Sequence, residues 1–350
     1  MIRSEYKKRM EALVEYMVEN EISPAVSFAV ITKTDSFVTY AGYKQIIPEK
    51  IENEVNTIYD LASISKVLVT TTLILKLMEE GQLSLKKKVK DILPEFAYSD
   101  ITIKHLITHT AGFPADLVDY KKLSKDEMIA AIYHVPLEYE TGTKVVYSDL
   151  GFILLGLVIT KIKGSLEAYA QEALFTPLKM KDTGYNPSNE VISRIASTED
   201  SKERGLICGC VHDGKAFKLE GLSGNAGVFS TISDVSNFVK MLLQDGVFEG
   251  KQILHPETIA LMTTLQTEGL NEKRALGWIL SDFSYPLGDY ASDKTIFHTG
   301  FTGPSILVDF EKGIGVVVLA NRVHPSRENK KIFEFRNQIH NLGLLAGLDN

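Results

Sequence analysis

Three stretches of the chain place a serine three residues ahead of a lysine: Ser4–Lys7, Ser63–Lys66 and Ser84–Lys87. On a helix this spacing puts both side chains on one face, so the amine can reach the hydroxyl. A serine hydroxyl is a weak nucleophile until a neighbouring base takes its proton, and a paired amine is one such base. Context separates the three. Ser4 opens an amphipathic segment, and Ser84 runs into the charged Lys86-Lys87-Lys88. Only Ser63 sits where a polar loop enters a segment that is apolar on nearly every face. A helix N-terminus there offers unpaired N–H groups and positive potential, which favour the anion formed during acyl transfer. The spacing alone supports two readings: a nucleophile with its base, or a capping serine beside a lysine that reaches out to solvent.

Two further polar clusters precede ordered-looking segments, Tyr147-Ser148-Asp149 and His298-Thr299-Gly300. A lysine acts as a base near pH 7 only if its pKa of about 10.4 is lowered by burial or another cation. A tyrosine near 10 needs a drop of about three units, or roughly 4 kcal/mol of environmental bias. Other chemistries lack their signatures. There is no phosphate loop, dinucleotide turn, H-E-x-x-H zinc helix or G-x-S-x-G elbow. His105 and His109 share helical spacing without a third ligand, so they read as a helix end and a turn rather than a metal site. No cofactor is expected.

The elements that must carry these residues follow from periodicity. Tyr6, Met10, Leu13, Val14 and Met17 predict an amphipathic helix over 4–19. The runs 25–32 and 37–40 read as an antiparallel hairpin, and 305–309 with 315–319 as another, followed by a helix presenting Ile332, Phe335, Ile339 and Leu342. Residues 278–280 read as a further strand. The middle reads as helices over 67–78, stopped at Gly81, then 150–162, 233–243 and 256–264. Both ends are expected to join one sheet. The expected division is an α/β (α+β) part from residues 1–80 and 275–350, with a mainly helical part from 81–274.

Composition narrows the class. With 38 Lys+Arg against 45 Asp+Glu the formal charge is −7, which disfavours nucleic acid as a partner. No run approaches the roughly 18 apolar residues that span a bilayer. The first residues do not read as a signal peptide, so a cytoplasmic location is expected; a leader already removed would place the protein outside. Cys208 and Cys210, the two cysteines, suit neither a disulfide framework nor a zinc site, and read as packed thiols.

In the order Ser63–Lys66, Tyr147–Asp149, His298–Gly300, the three clusters resemble the S-x-x-K, Y-x-N and K-T-G elements of the serine β-lactamase and penicillin-binding-protein superfamily. The likeness is to the branch holding class C β-lactamases, D-Ala-D-Ala peptidases and related esterases, and runs from about residue 10 to residue 340. The stretches 106–112, 177–183 and 224–231 fit it as well. The resemblance implies a β-lactamase/transpeptidase-like fold, an antiparallel sheet flanked by helices plus a helical region, with the site in the cleft between. It implies Ser63 as acyl-forming nucleophile, Lys66 and Tyr147 as proton handlers, and the Ser63 and Phe301 amides as oxyanion hole. Asp149, His298, Thr299 and Gly300 would bind substrate, with Gly300 letting the substrate backbone approach an open strand.

Two departures bear on substrate. His298 stands where relatives carry lysine, and histidine at its ordinary pKa of about 6.5 would anchor a carboxylate weakly and with pH dependence. Asp149 stands where relatives carry asparagine; it would favour a charged Lys66 and leave Tyr147 as base, and it also suits an N-cap of the following helix. The expectation is therefore a serine hydrolase of small ester, amide or β-lactam substrates. The alternatives are a cell-wall D-Ala-D-Ala carboxypeptidase and a non-catalytic ligand-binding relative. His212, His255 and His324 have no evident catalytic company, and Trp278 reads as core. Oligomeric state is open.

Overall fold

The computed structural model describes residues 2–281 and 285–348. Helix α1 (Ser4–Glu19) precedes strands β1 (Ala25–Thr32), β2 (Ser36–Gln45), β3 (Ile51–Glu52) and β4 (Tyr59–Asp60). The middle holds helices α2 (Thr72–Glu79), α3 (Ile103–Ile107), α4 (Asp149–Lys163), α5 (Gly214–Lys218), α6 (Ile232–Leu243) and α7 (Pro256–Thr263), with strands β5 (Gly184–Tyr185) and β6 (Val228–Ser230). The chain closes with β7 (Ile279–Leu280), β8 (Thr295–Thr299), β9 (Ser305–Asp309), β10 (Ile314–Ala320) and helix α8 (Lys331–Ala346).

As the β-rich runs at the two termini lead one to expect, both ends share one antiparallel sheet, in the order β7-β8-β9-β10-β1-β2-β3. Strand β1 pairs with β10 (Phe28 opposite Val318) and with β2 (Phe28 opposite Thr39). Successive side chains of a strand face opposite ways, and β1 uses both faces. Val26, Phe28 and Val30 join the core under α1 and α8, whereas Ala25, Ala29 and Ile31 join the core shared with the helical middle. Hence β1 is buried along almost its whole length. A small sheet, β4-β6-β5, ties the chain just before Ser63 to the loop ahead of β6.

The apolar segment after Ser63 departs from a regular helix. Residues Lys66–Thr71 form a wide π turn before α2 continues the helix. In that turn the Thr72 hydroxyl donates to the Val67 carbonyl five residues back (3.1 Å) and the Thr70 hydroxyl to the Gly224 carbonyl (2.7 Å). Such insertions recur at functional positions of helices. The helix stops where a glycine is required: Gly81 has φ +70°, and the Gln82 amide closes on the Leu77 carbonyl at 2.9 Å. Among the described residues no helix is long and apolar enough to cross a membrane, and no cluster of His, Cys, Asp and Glu could hold a metal ion.

Candidate active site

Strand β4 delivers the chain to Ser63 through a strained step. Ala62 sits at φ +47°, a region non-glycine residues enter at an energetic cost. The Asp60 carboxylate holds it there by accepting the Ala62 amide at 2.8 Å. One turn later Lys66, fully buried, has three partners for its ammonium: Ser63 Oγ at 2.9 Å, the Asn225 carbonyl at 2.9 Å and Asp149 Oδ1 at 2.7 Å. Three donors with three acceptors satisfy the charged form completely. Burial works against that charge, but Asp149 and the Tyr147 phenol outweigh it, and Lys66 is held above its ordinary value.

Asp149 serves two amines. Its second oxygen meets Lys215 Nζ at 3.1 Å, and Lys215 also reaches Asp116 at 2.9 Å and Asp213 at 3.8 Å. Burial pushes the Asp149 carboxyl up, but Lys66 and Lys215 bring it down to about 2. Burial opposes the Lys215 charge as well, yet its carboxylate neighbours raise it. The cap of α4 is Ser148, whose Oγ accepts the Leu150 amide at 3.3 Å, so Asp149 is left to the lysines. This corrects the N-cap reading of Asp149: the shorter serine side chain, one residue earlier, folds back on the helix end.

These groups line a cleft of about 850 Å³ whose walls include Ser63, Tyr147, Asp149, Lys215, His212 and Phe301. Lys66 Nζ lies 5.1 Å from the centroid of the Tyr147 ring, and the rings of His109 and His298 lie 4.7 Å and 6.1 Å from it.

The third cluster is placed differently from the sequence expectation. His298 is 2% exposed and is not on the cleft wall. Its Nδ1 donates to the Thr299 carbonyl at 2.9 Å, which leaves Nε2 without a partner among the described residues. Burial, with Arg274 and Lys66 nearby, holds it well below 6.5. Burial thus disfavours the charged form on which the expected pH-dependent anchoring of a carboxylate rests. Thr299, next along β8, faces the other side of the sheet, towards a separate cavity with Arg336 and Asn337. Gly300 is required by the protein itself: a Cβ there would stand 2.5 Å from the Leu61 carbonyl of the loop carrying Ser63.

Phe301 lines the cleft and is 47% exposed. Among the described residues neither its amide nor that of Ser63 donates to another protein group. Asp60 links the two turns that carry these amides. Its second carboxylate oxygen accepts the His212 amide at 2.7 Å, its carbonyl accepts the Thr302 hydroxyl at 2.8 Å, and the His212 ring stacks on Phe301 at 5.5 Å. Burial pushes the Asp60 carboxyl up to about 6.

His212 thus has company that its sequence context did not show. Besides stacking on Phe301, its Nε2 lies 3.0 Å from Glu199, which Arg327 grips with two nitrogens. Lys215, Asp116, Asp213 and Arg274 were also missed. The density of polar residues in Val211-His212-Asp213-Gly214-Lys215, and a lone arginine entering the apolar Ala275–Trp278, were the available signals. His105 and His109 occupy a helix cap and a turn, as read: His105 Nδ1 accepts the Thr102 amide, and His109 Nδ1 accepts the Ser148 amide. Trp278 is fully buried.

The sequence matches the family described as Beta-lactamase over residues 10–340. An N-acetylmuramyl-L-alanine amidase of Bacillus subtilis (strain 168) is 28% identical, over 92% of this chain and 84% of that protein. A putative D-alanyl-D-alanine carboxypeptidase of Escherichia coli (strain K12) is 30% identical, over 83% of this chain and 75% of that protein. In fold, a penicillin-binding-protein homolog from Caulobacter crescentus superposes with a TM-score of 0.80 at 16% identity, covering 99% of both chains. A sheet built from both termini, a helical middle and a family match across nearly the whole length lead to one conclusion: this chain belongs to the serine β-lactamase and penicillin-binding-protein superfamily, in its class C-like branch.

Proposed function

We propose that the protein hydrolyses ester or amide bonds of polar substrates through an acyl-enzyme on Ser63. The observation that carries this reading is the contact set of Lys66, which places one ammonium against both Ser63 Oγ and Asp149. A lysine held charged cannot accept the serine proton, so it orients the hydroxyl and the base is Tyr147, acting as phenolate. Tyr147 takes the proton of Ser63 as Oγ bonds to the carbonyl carbon. The carbonyl electrons move onto oxygen, facing the Ser63 and Phe301 amides. Collapse breaks the bond to the leaving group, which receives the proton from Tyr147. Water then attacks the acyl carbon as the same phenolate takes its proton; collapse breaks the bond to Oγ, which recovers that proton from Tyr147, leaving the acid and free Ser63.

Two features support a polar substrate without a dedicated carboxylate clamp. The cleft is lined by both signs of charge, including Asp116, Asp213, Lys121 and Arg204, and the motif that carries lysine in relatives here carries a buried neutral His298. The names of the Bacillus and Escherichia relatives favour a second reading, cleavage of a cell-wall amide or D-alanyl peptide. A panel of p-nitrophenyl esters, a chromogenic cephalosporin, a muramyl-L-alanine amide and a D-Ala-D-Ala peptide separates them. The primary reading expects the highest kcat/KM on neutral esters or amides. Strong preference for the D-Ala-D-Ala peptide would replace it with the second.

A further inference from the structure

The site lacks the fixed cation that relatives carry in the third motif, yet a cation does reach the space beside Tyr147. Arg274, from the segment just before β7, is 2% exposed and holds its guanidinium carbon 5.6 Å from the centroid of the Tyr147 ring. Its Nε pairs with Glu272, while among the described residues its Nη1 has no hydrogen-bond partner. The Nε2 atoms of His109 and His298 are likewise unpartnered. A buried guanidinium with an unused donor is costly, and an arginine stays charged at any pH the folded protein meets. Its distance from the Tyr147 ring, close to that of Lys66 at 5.1 Å, gives that charge something to act on.

We propose that Arg274 is a positioning residue whose fixed charge stabilises the Tyr147 phenolate, the form of that side chain able to take the Ser63 proton. This rests on Tyr147 being the base in the mechanism above. The charged and titratable groups facing Tyr147 are Lys66 and, beyond it, Asp149, then His109, His298 and Arg274 with its partner Glu272. Lys66 is held up and Asp149 down by each other, and burial with the nearby cations keeps His109 and His298 well below 6.5. Between pH 7 and 9 these neighbours keep constant charge. Opposite unit charges about 6 Å apart at an effective dielectric of about 20 set an upper bound of about a hundredfold in an equilibrium, which the pairing of Arg274 with Glu272 reduces.

The test is the rate of covalent labelling of Ser63 by a fluorophosphonate, followed by intact mass from pH 5 to 10. Arg274→Met should label about 10- to 100-fold more slowly at pH 7, with its acid limb moved up by about one to two pH units. Arg274→Lys, which restores a cation, should recover most of both effects. If Arg274→Met does not fold, the double variant Glu272→Gln/Arg274→Met removes the carboxylate stranded by the first change and should show the same shift. An acid limb unmoved in the neutral variant, or a lysine variant as impaired as methionine, overturns the inference while Ser63 labelling leaves the hydrolase reading intact. Labelling that survives Ser63→Ala removes the hydrolase reading and this inference with it.

Discussion

The two sides of the Tyr147 ring are built on opposite rules. On the cleft side the charges are dense but paired: Lys66 and Lys215 share Asp149, and Lys215 has Asp116 and Asp213 besides. On the sealed side Arg274 brings a charge only partly neutralised, beside two histidines kept uncharged by burial. The charges around Asp149 are locked in pairs that fix geometry. The less compensated charge lies where no substrate reaches, so its field is spent on the ring in front of it. The comparison explains how the third motif can give up its lysine: the site can obtain its fixed cation from Arg274, beside the Tyr147 ring.

The largest effect should come from the paired side. Lys66→Met removes a fully buried ammonium from between Ser63 and Asp149. Turnover of a neutral ester should fall by at least about a thousandfold, as when one member of a catalytic unit is lost. Breaking the buried pair should cost about 3 kcal/mol in a denaturant titration, the low end of its class because Lys215 still holds Asp149. Turnover within tenfold of wild type would show that the paired side only props up the fold. Asp149→Asn is the milder probe. It leaves Lys66 without its nearest counter-charge, so burial governs and the amine becomes a weaker acid-holder. Activity should fall about 10- to 100-fold on the route through Tyr147. Its pH profile should also change shape, because Lys66 then titrates within the accessible range; an unchanged profile would remove Asp149 from control of Lys66.

The sealed side gives smaller signals. His298→Lys would place a second amine in a site 2% exposed and close to Arg274. We expect loss of stability by about 2–4 kcal/mol and no gain on carboxylate-bearing esters relative to neutral ones. A gain would mean that residue 298 reaches the substrate after all. Acid stability tests the same arrangement. His109, His298 and His340 have folded values below their unfolded one of about 6.5, so the stability they confer is complete above that pH and is lost as pH falls below it. Asp60, raised to about 6, acts in the opposite sense between pH 6 and 4. Burial sets His340 at about 4, a displacement of similar size to that of Asp60, so those two nearly offset. His109 and His298 then decide the sign, and the melting temperature should fall from pH 7 to 5, less steeply in His298→Gln. Asp149 adds a further loss only below about pH 4, as pH drops towards its folded value of about 2.

What could be read from the sequence was what neighbours in the chain determine. Ser63 and Lys66 are one helical turn apart, so their meeting needed no knowledge of the rest of the fold. The β-rich runs 25–32 and 315–319, each beside a turn, were enough to place both termini in one sheet. Lys215 and Arg274 reach the site from segments more than 60 residues from Tyr147 in sequence, and no local pattern marks a cation that will end up beside a distant carboxylate or ring. Strand alternation did carry one unused message. His298 and Thr299 are consecutive residues of β8, so both could not face the same cleft, and the structure sends one beside Tyr147 and the other through the sheet. The wide turn at Lys66–Thr71 had no sequence signal beyond its β-branched residues.

The account turns on one bond, that between Ser63 Oγ and the acyl carbon of a substrate. Rapid acid quench of the protein during turnover of a p-nitrophenyl ester, followed by peptide mapping, measures it directly. We predict a single acyl adduct on the peptide carrying Ser63, with no adduct and no turnover in a Ser63→Ala variant that melts within about 2 °C of wild type, as expected when a partly exposed hydroxyl is removed. An adduct on another residue, or undiminished hydrolysis by Ser63→Ala, would contradict it.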